Sequence, residues 1–196
     1  MVMAEIFDET FALWTQGKTP VQARLSVYQH IRDIPYAVIP ELNDTERYAE
    51  ILRYGRGSCM PKHLLLGSMY ERLGMFVLYA VFPFRWDQAM VDYPPHLRKL
   101  AEELPTNYHL ACRVDIDGEL VLVDATLDLA LEKLGLPVNK AWDGISNTVL
   151  PINPCGEEQL YHPSEKYLRQ AHYYDEKSLQ FYHELNLWLD EVRQSK

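Results

Sequence analysis

The spacing of apolar side chains predicts helices in the first third of the chain. Apolar residues recur at helical spacing from Ala4 to Thr15, and a second amphipathic helix is expected from Pro20 to about Asp33. Thr19 is the expected N-cap of the second helix, because proline fits the first helical position. Further on, Asn43-Asp44-Thr45 predicts the start of a third helix that continues to about residue 52.

The middle of the chain combines a helix with strands. The glycine-bearing turn from Tyr54 to Pro61 precedes Lys62 to Leu73, which is rich in helix formers. Met75 to Phe84 is an apolar run typical of a buried strand. Tyr108 to Ile116 and Glu119 to Thr126 predict two strands, and the Asp117-Gly118 pair between them is a strong hairpin signal.

The rest of the chain gives weaker patterns. A short helix is expected from His96 to Leu104, and Leu127 to Pro163 is expected to be mostly loop, with one short helix over Leu127 to Leu134. The tail from Ser164 to Gln194 favours a helix rich in aromatic residues, which we expect to pack on the core or on a second copy of the chain. We therefore predict one α+β domain over residues 1–196, with a core at about 20–126 and a helical C-terminal extension at about 164–194.

The composition and charge of the chain make some classes of partner unfavourable. The net charge is −9 and the acidic residues are scattered, so no basic stripe suits nucleic acid or an anionic membrane. The first sixteen residues lack the features of a signal peptide, and no apolar run is long enough for a membrane span, so a cytoplasmic location is expected. The histidines and the three cysteines have no metal-ligand spacing, so we expect no metal, no disulfide and no organic cofactor.

Cys59 is a candidate nucleophile because of its place before the helix. A thiol at a helix N-terminus lies near the positive end of the helix dipole and near unpaired backbone N–H groups, which favour the thiolate. The same N–H groups can receive the oxyanion that forms when a thiolate attacks a carbonyl. The alternative is a small buried residue without a chemical role, which is common for free cysteines.

The hairpin brings two further candidates together. A two-residue turn at Asp117-Gly118 fixes the register so that His109 and Asp124 are diagonal neighbours on one face. The opposite face is apolar and includes Cys112, which we interpret as a packing residue. A carboxylate beside an imidazole can stabilise the imidazolium that forms during catalysis. The alternative is a polar cross-strand pair on a solvated face.

Three blocks in this order resemble the transglutaminase-like superfamily of papain-type cysteine enzymes. They are Gly57-Ser58-Cys59 before a helix, His109 opening a strand, and Val123-Asp124-Ala125-Thr126 closing the next strand; upstream, Val27 to Tyr36 resembles the helix and Ile-x-Tyr turn of the superfamily. The resemblance implies a nucleophile helix packed on an antiparallel sheet. It also implies Cys59 as nucleophile, His109 as general base and acid, and Asp124 as the group that orients the imidazole.

Some residues depart from that resemblance. Ala111, Leu120 and Met60 stand where many members carry tryptophan, which disfavours protein cross-linking as the reaction. His63 stands where many members have a small residue, and at helical spacing it could reach the Cys59 thiol and tune it, although a packing role within the helix is the alternative.

The histidine-to-aspartate hairpin also resembles the arylamine N-acetyltransferases, a distant branch with the same triad. The second oxyanion donor stays open between Tyr36, by the resemblance of the Ile-x-Tyr turn, and Tyr54, by nearness in sequence.

The sequence thus predicts a cysteine-dependent hydrolase or acyltransferase that acts on an amide, a peptide or another acyl group through a thioester on Cys59. Expected substrates are a peptide, a protein or a small amide or acyl compound, and a homodimer through the C-terminal helices is a further expectation. Two alternatives remain: a catalytically inactive binding module with the same fold, and an acyltransferase similar to the arylamine N-acetyltransferases.

Overall fold

A computed structural model describes residues 3–165 and 174–195 as an α+β fold. Its helices in chain order are α1 (Met3–Thr15), α2 (Pro20–Asp33), α3 (Ile51–Tyr54), α4 (Cys59–Arg72), α5 (Pro95–Glu102) and α6 (Glu176–Gln194). Its strands are β1 (Val77–Phe84), β2 (Asn107–Ile116), β3 (Glu119–Val123) and β4 (Gln159–Tyr161). Short 3₁₀ helices occur at Pro40–Leu42, Tyr48–Glu50, Trp86–Gln88 and Leu129–Leu134.

The four strands form one antiparallel sheet in the order β3-β2-β1-β4. The β2–β3 hairpin has the predicted register, because Ile116 pairs with Glu119 across the Asp117-Gly118 turn. Both turn residues have positive φ, as a two-residue hairpin turn requires. The short edge strand β4 was not predicted, since its three residues are too few to give a periodic pattern.

Most helix predictions are confirmed, with one clear exception. Helix α2 has the predicted bounds, and Thr19 forms a capping box with Gln22. The third predicted helix is wrong in extent, because the chain forms a 3₁₀ turn at Tyr48–Glu50 and then only four α-helical residues. Helix α4 begins at Cys59, three residues earlier than the expected start at Lys62.

The main core lies between the sheet and helices α1, α2 and α4. Alternate residues of β2 and β3 point to this side and are buried; they include Leu110, Cys112, Val114 and Val123. These residues contact the apolar face of α4 around Leu65 and Met69. The packing role predicted for Cys112 is confirmed, since its side chain is fully buried and contacts the carbonyl of a residue in α4.

The opposite face of the sheet is covered as well. Ala80, Phe82, Ala111 and Leu122 form a small buried cluster beneath Leu150 and Ile152. Residues 147–148, just before Leu150, lie along the edge of β3. The Thr148 N–H donates to the Leu122 carbonyl, and the Asn147 side-chain oxygen accepts the Leu122 N–H. The loop from 127 to 163 therefore protects one edge and one face of the sheet.

Helix α6 joins α5 and the 129–134 segment in a second apolar cluster beside the sheet. Phe181, Leu185 and Leu189 of α6 are buried there against Leu97 and Leu131. The aromatic tail thus packs within its own chain, and the homodimer through this tail stays a prediction. The helix begins at Glu176, capped by Asp175, rather than at Ser164, and residues 166–173 of the predicted tail helix lie outside the described residues.

No helix among residues 3–165 and 174–195 combines the length and the apolar character needed to cross a membrane.

Candidate active site

Cys59 is the first residue of α4, at the end of a loop that is held against residues 35–37. Gly57 exchanges backbone hydrogen bonds with Pro35 and Ala37 at 3.1 and 3.2 Å. A Cβ atom at Gly57 would lie 2.7 Å from the side chain of Ile51, so only glycine fits this close approach. The loop therefore delivers Cys59 to the helix end with little freedom, and the thiol is half-buried.

The N-terminus of α4 is left without a side-chain cap. Ser58 is in the N-cap position, but its hydroxyl donates to the Asn43 side-chain oxygen at 2.5 Å instead of accepting from the helix. The first hydrogen bond of the helical ladder runs from the Lys62 N–H to the Ser58 carbonyl. The N–H groups of Cys59 and Met60 precede that bond, and Pro61 has none, so two donors at the helix end can face an anion.

His109 and Asp124 meet at the end of the β2–β3 hairpin that is nearest to Cys59. The His109 Nε2 atom lies 2.6 Å from Asp124 Oδ2, and the two residues are 2 % and 1 % exposed. The predicted contact between these side chains is confirmed. The alternative of a polar pair on a solvated face is wrong, because the loop after β3 and the start of α4 enclose both groups.

The electrostatics of this pair favour an imidazolium and a carboxylate. Burial lowers the pKa of His109, but the Asp124 charge and the contact with Cys59 outweigh it and raise that pKa to about 10. Burial raises the pKa of Asp124, yet the charge and hydrogen bond of His109 bring it down to about 2. Because Nε2 faces Asp124, only the other nitrogen of the imidazole is left to interact with Cys59, which lines the same cleft.

The backbone around Asp124 is fixed by three elements. Its N–H donates to the Thr148 hydroxyl at 2.7 Å, and its carbonyl accepts from the Tyr28 hydroxyl at 3.1 Å. Its second carboxylate oxygen accepts the Thr126 N–H at 2.9 Å. Asp124 therefore keeps its side chain directed at His109 without any freedom to rotate. Sequence reasoning did not find Thr148 or Tyr28, because both contacts join segments far apart in the chain.

His63 contacts the backbone of the site rather than the thiol. Its Nδ1 atom lies 2.8 Å from the Cys59 carbonyl oxygen, and its Nε2 atom accepts the Ala125 N–H at 2.9 Å. These partners require the tautomer with the proton on Nδ1. Burial lowers the pKa of His63 to about 4, which keeps the ring neutral. The interpretation as a thiol-tuning group needs correction, since the ring reaches the Cys59 carbonyl and links α4 to the residue after Asp124.

Lys62, which sequence reasoning missed, is fully buried behind the site. Its ammonium group donates to the carbonyls of Arg32, Ile34 and Thr126 at 2.9, 2.8 and 2.6 Å. Burial lowers its pKa to about 7. The side chain therefore ties α4 to the end of α2 and to the segment after Asp124. The only sign of this buried role in the sequence is that the lysine lies in an apolar helical run, one residue before His63.

The two tyrosines proposed as oxyanion donors lie in different places. Tyr36 is buried, lines the cleft beside Cys59 and makes no side-chain hydrogen bond to another described residue. Its burial and the nearby Cys59 raise its pKa well above the usual value, so the hydroxyl keeps its proton. Tyr54 is 56 % exposed and does not line the cleft, because it ends α3 just before the left-handed Gly55. The structure thus leaves Tyr36 and removes Tyr54 as a candidate.

The C-terminal helix holds the backbone of Tyr36 in place. Arg193 donates to the Tyr36 carbonyl at 2.7 Å and to the Asp128 carboxylate at 2.8 Å. Asp128 in turn accepts the Tyr36 N–H at 2.8 Å. Two residues further on, the Asn186 side chain bonds both backbone groups of Val38 at 2.8 and 2.9 Å. Residues 36–38 are therefore clamped between α6 and the 128 segment.

An apolar cleft opens beside Cys59 and His109, with about 1000 Å³ of space that includes the open solvent at its mouth. One wall is α6, and the opposite walls are the segments after β1 and after Asp124. Its apolar lining includes Trp86, Val91, Leu131, Trp188 and Leu189. The expected packing of the tail aromatics is confirmed for Tyr182 and Trp188, which also line this cleft. A substrate could reach the thiol through this cleft.

The other two thiols lie apart from the cleft beside Cys59. Cys112 is buried in the main core. Cys155 is exposed in a loop and directly follows Pro154, which pairs with Phe84 at the end of β1. All three cysteines are free. Among the residues that the structure describes, no group of three or more His, Cys, Asp or Glu side chains is arranged to hold a metal ion.

Comparison with known proteins gave no match to a family model, to a curated protein or to a solved structure. The functional argument therefore depends on the geometry of the site.

Proposed function

We propose that this protein is a cysteine-dependent hydrolase or acyltransferase that forms a thioester on Cys59. The observation that carries the proposal is the position of His109, which is held by Asp124 at 2.6 Å and lines the same cleft as Cys59, a thiol at a helix N-terminus. A buried imidazolium next to a thiol stabilises the thiolate, which is the nucleophilic form. The half-buried thiol also opens on a cleft large enough for a substrate.

The first half-reaction acylates the enzyme. The Cys59 thiolate attacks the substrate carbonyl carbon, a C–S bond forms, and the carbonyl oxygen becomes an oxyanion. The His109 imidazolium then gives its proton to the leaving nitrogen or oxygen, whose bond to the carbonyl carbon breaks. In the second half-reaction His109 takes a proton from water or from an acceptor amine or alcohol, which attacks the thioester and releases Cys59 as thiolate.

The oxyanion needs donors that are already in place. The Cys59 N–H precedes the helical ladder of α4 and is close to the carbon that the thiolate attacks. Tyr36 supplies the second donor in this proposal, because its protonated hydroxyl lies beside Cys59 without another side-chain partner among the described residues. Asn43 is less suited, since its side-chain amide already donates to Tyr174 and its oxygen accepts from Ser58.

The fold proposal that accompanies this function is a papain-like core of the transglutaminase-like type. Helix α4 with Cys59 at its start packs on the antiparallel strands that carry His109 and precede Asp124. A donor with several phosphates, as an acetyltransferase similar to the arylamine N-acetyltransferases would use, is less favoured. The reason is that no lysine or arginine lines the cleft beside Cys59.

The direct test is to trap the acyl-enzyme. The protein would be mixed with p-nitrophenyl acetate, and the release of p-nitrophenol and the mass of the protein would be followed together. We expect a burst of one p-nitrophenol per chain and an acetyl adduct that peptide mapping assigns to Cys59. Cys59→Ser and His109→Ala should lose the burst, whereas Cys155→Ser should keep it. Absence of an adduct on an accessible Cys59 would leave only the inactive binding module.

A further inference from the structure

The cleft beside Cys59 has an unusual composition for a site of peptide or protein chemistry. Apart from His109, none of the side chains that line it carries a formal charge. The aliphatic part of its wall includes Val38, Val91, Leu127, Leu131, Leu136 and Leu189. A charged group in this cleft would lose its hydration without finding a partner of opposite charge.

Several polar groups of the cleft bond one another, whereas the Thr126 hydroxyl, which also lines the cleft, is buried without a hydrogen-bond partner among the described residues. Asn43 bonds Ser58 and Tyr174, and Asn107 donates to the Tyr182 hydroxyl at 2.8 Å. These groups are therefore occupied in the free protein and offer few hydrogen bonds to a substrate. Beyond them the wall formed by α6 and the 127–136 segment is aliphatic and aromatic.

We propose that this cleft selects a neutral, bulky apolar acyl group, aliphatic or arylalkyl, and directs its carbonyl to Cys59. The proposal rests on the thioester chemistry proposed above and adds the substrate class. In the bound state the carbonyl carbon lies at the thiol, the oxyanion donors face its oxygen, and the apolar chain extends along the wall of α6. Burial of that chain supplies the binding free energy, because apolar area is removed from water on both sides.

The test compares p-nitrophenyl esters that differ only in the acyl group. The esters are the acetate, the octanoate, the phenylpropanoate and the half-ester of suberic acid, which is the octanoyl chain with a terminal carboxylate. Each is used below its critical micelle concentration, and each acylation rate on Cys59 is divided by the rate with N-acetylcysteine, which has no cleft. The phenylpropanoate arm distinguishes an arylalkyl from an aliphatic preference.

We expect the normalised rate for octanoate to exceed that for acetate by at least about 100-fold, because each added methylene in an apolar pocket is worth up to about tenfold. The suberate half-ester should react at least about tenfold more slowly than octanoate, since its carboxylate, at the far end of the chain from His109, meets no cation along the apolar wall. This comparison uses the unsubstituted protein and does not depend on any variant being folded.

A pair of matched substitutions locates the selectivity. Ala89 lines the cleft, and Ala89→Phe should reduce the octanoate-to-acetate ratio by at least about tenfold by filling part of it. Ala12 is exposed on α1, and Ala12→Phe should keep the ratio. Circular dichroism would confirm that both variants are folded.

The outcomes separate this inference from the proposed function. Equal normalised rates for all four esters, with the adduct on Cys59, would overturn the substrate class and leave the thioester chemistry in place. A faster reaction of the suberate half-ester than of octanoate would do the same. No adduct on Cys59 with any ester would overturn both proposals.

Discussion

The imidazole of His63 joins the helix of Cys59 to the strand end that carries Asp124. Its Nδ1–H donates to the Cys59 carbonyl at 2.8 Å, and its Nε2 accepts the N–H of Ala125 at 2.9 Å. A single buried ring thus sets the distance between the proposed nucleophile and the group that orients His109. This arrangement has consequences for both stability and reactivity.

Folding stability should fall with mild acid because of His63. Its folded pKa of about 4 lies below the ordinary value of 6.5, so the unfolded chain binds more protons between these values. The part of the stability that depends on neutral His63 is therefore fully present above about pH 6.5 and is lost as the pH falls toward 4. We expect a decrease of about 2 kcal/mol in the free energy of unfolding from about pH 6.5 to pH 5, above the range of the carboxylates. Urea unfolding at several pH values measures it.

The matched control for this effect is His30. Its ring makes the same type of bond to the carbonyl four residues earlier, at 2.7 Å from Ser26, but it is exposed on α2. His63→Gln should flatten the pH dependence between pH 6.5 and 5, whereas His30→Gln should keep it. An unchanged slope in His63→Gln would show that another group is responsible.

Asp124→Asn should keep the fold and lose most of the acylation activity. The amide can retain the contact with His109 but cannot stabilise an imidazolium, so the pKa of His109 should fall from about 10 toward its ordinary value. We expect the rate of Cys59 acylation to drop by about 10³-fold or more. The burst of p-nitrophenol measures the rate, and NMR titration of His109 measures the pKa. Turnover equal to that of the unsubstituted protein would remove Asp124 from the mechanism.

Alkylation separates the three thiols. Iodoacetamide should modify Cys59 at least about tenfold faster than Cys155 near neutral pH, because the His109 imidazolium stabilises the thiolate and Cys155 has no such partner in the site. Cys112 should resist modification in the folded protein, since it is fully buried. His109→Ala should slow the modification of Cys59 and leave Cys155 as it was. Mass spectrometry of each peptide against time gives all three rates, and equal rates at Cys59 and Cys155 would contradict the nucleophile assignment.

Tyr36→Phe should slow acylation without slowing alkylation. Acylation creates an oxyanion that the Tyr36 hydroxyl can stabilise, whereas attack on iodoacetamide creates none. We expect an acylation rate lower by about 10–100-fold, and an alkylation rate within about twofold of the unsubstituted protein. Tyr54→Phe is the control, since that residue lies outside the cleft. Loss of both rates together would assign Tyr36 a structural role instead.

Arg193→Leu should destabilise the protein strongly, because it leaves the nearly buried Asp128 carboxylate without its ion partner. We expect a loss of about 3 kcal/mol in the free energy of unfolding. Lys177 and Glu103 form an exposed ion pair at the other end of α6, and Lys177→Leu should leave the midpoint of urea unfolding nearly unchanged, because solvent screens such pairs. Similar losses for the two variants would show that the clamp on residue 36 does not contribute to stability.

The hairpin explains why part of the site could be predicted from sequence. A two-residue turn at Asp117-Gly118 fixes the register by local backbone geometry, and the register then brings His109 to Asp124. Helix α4 begins at Cys59 rather than at Lys62, because Pro61 lies in the first turn, where a helix tolerates proline. These features depend on residues close together in the chain.

The remaining parts of the site depend on contacts between distant segments. Thr148 reaches Asp124 from a loop without periodicity, and Lys62 bonds carbonyls from two other segments. Arg193 meets Tyr36 across most of the chain. The residues next to each of these side chains in the sequence show no special pattern. Sequence reasoning therefore could not predict which distant residue each side chain contacts. The short strand β4 and the 3₁₀ turns escaped prediction for a different reason, since they are too short to show a period.

Helix α6 is made by the ribosome after every segment that it contacts. Until it docks, the cleft lacks one wall, and residues 36–38 lack the Asn186 and Arg193 bonds that hold them. The cysteine, histidine and aspartate belong to earlier segments and can assemble before that moment. In the proposed function, a growing chain would therefore gain the proposed nucleophile and base first, and the wall of the cleft and the support of Tyr36 last.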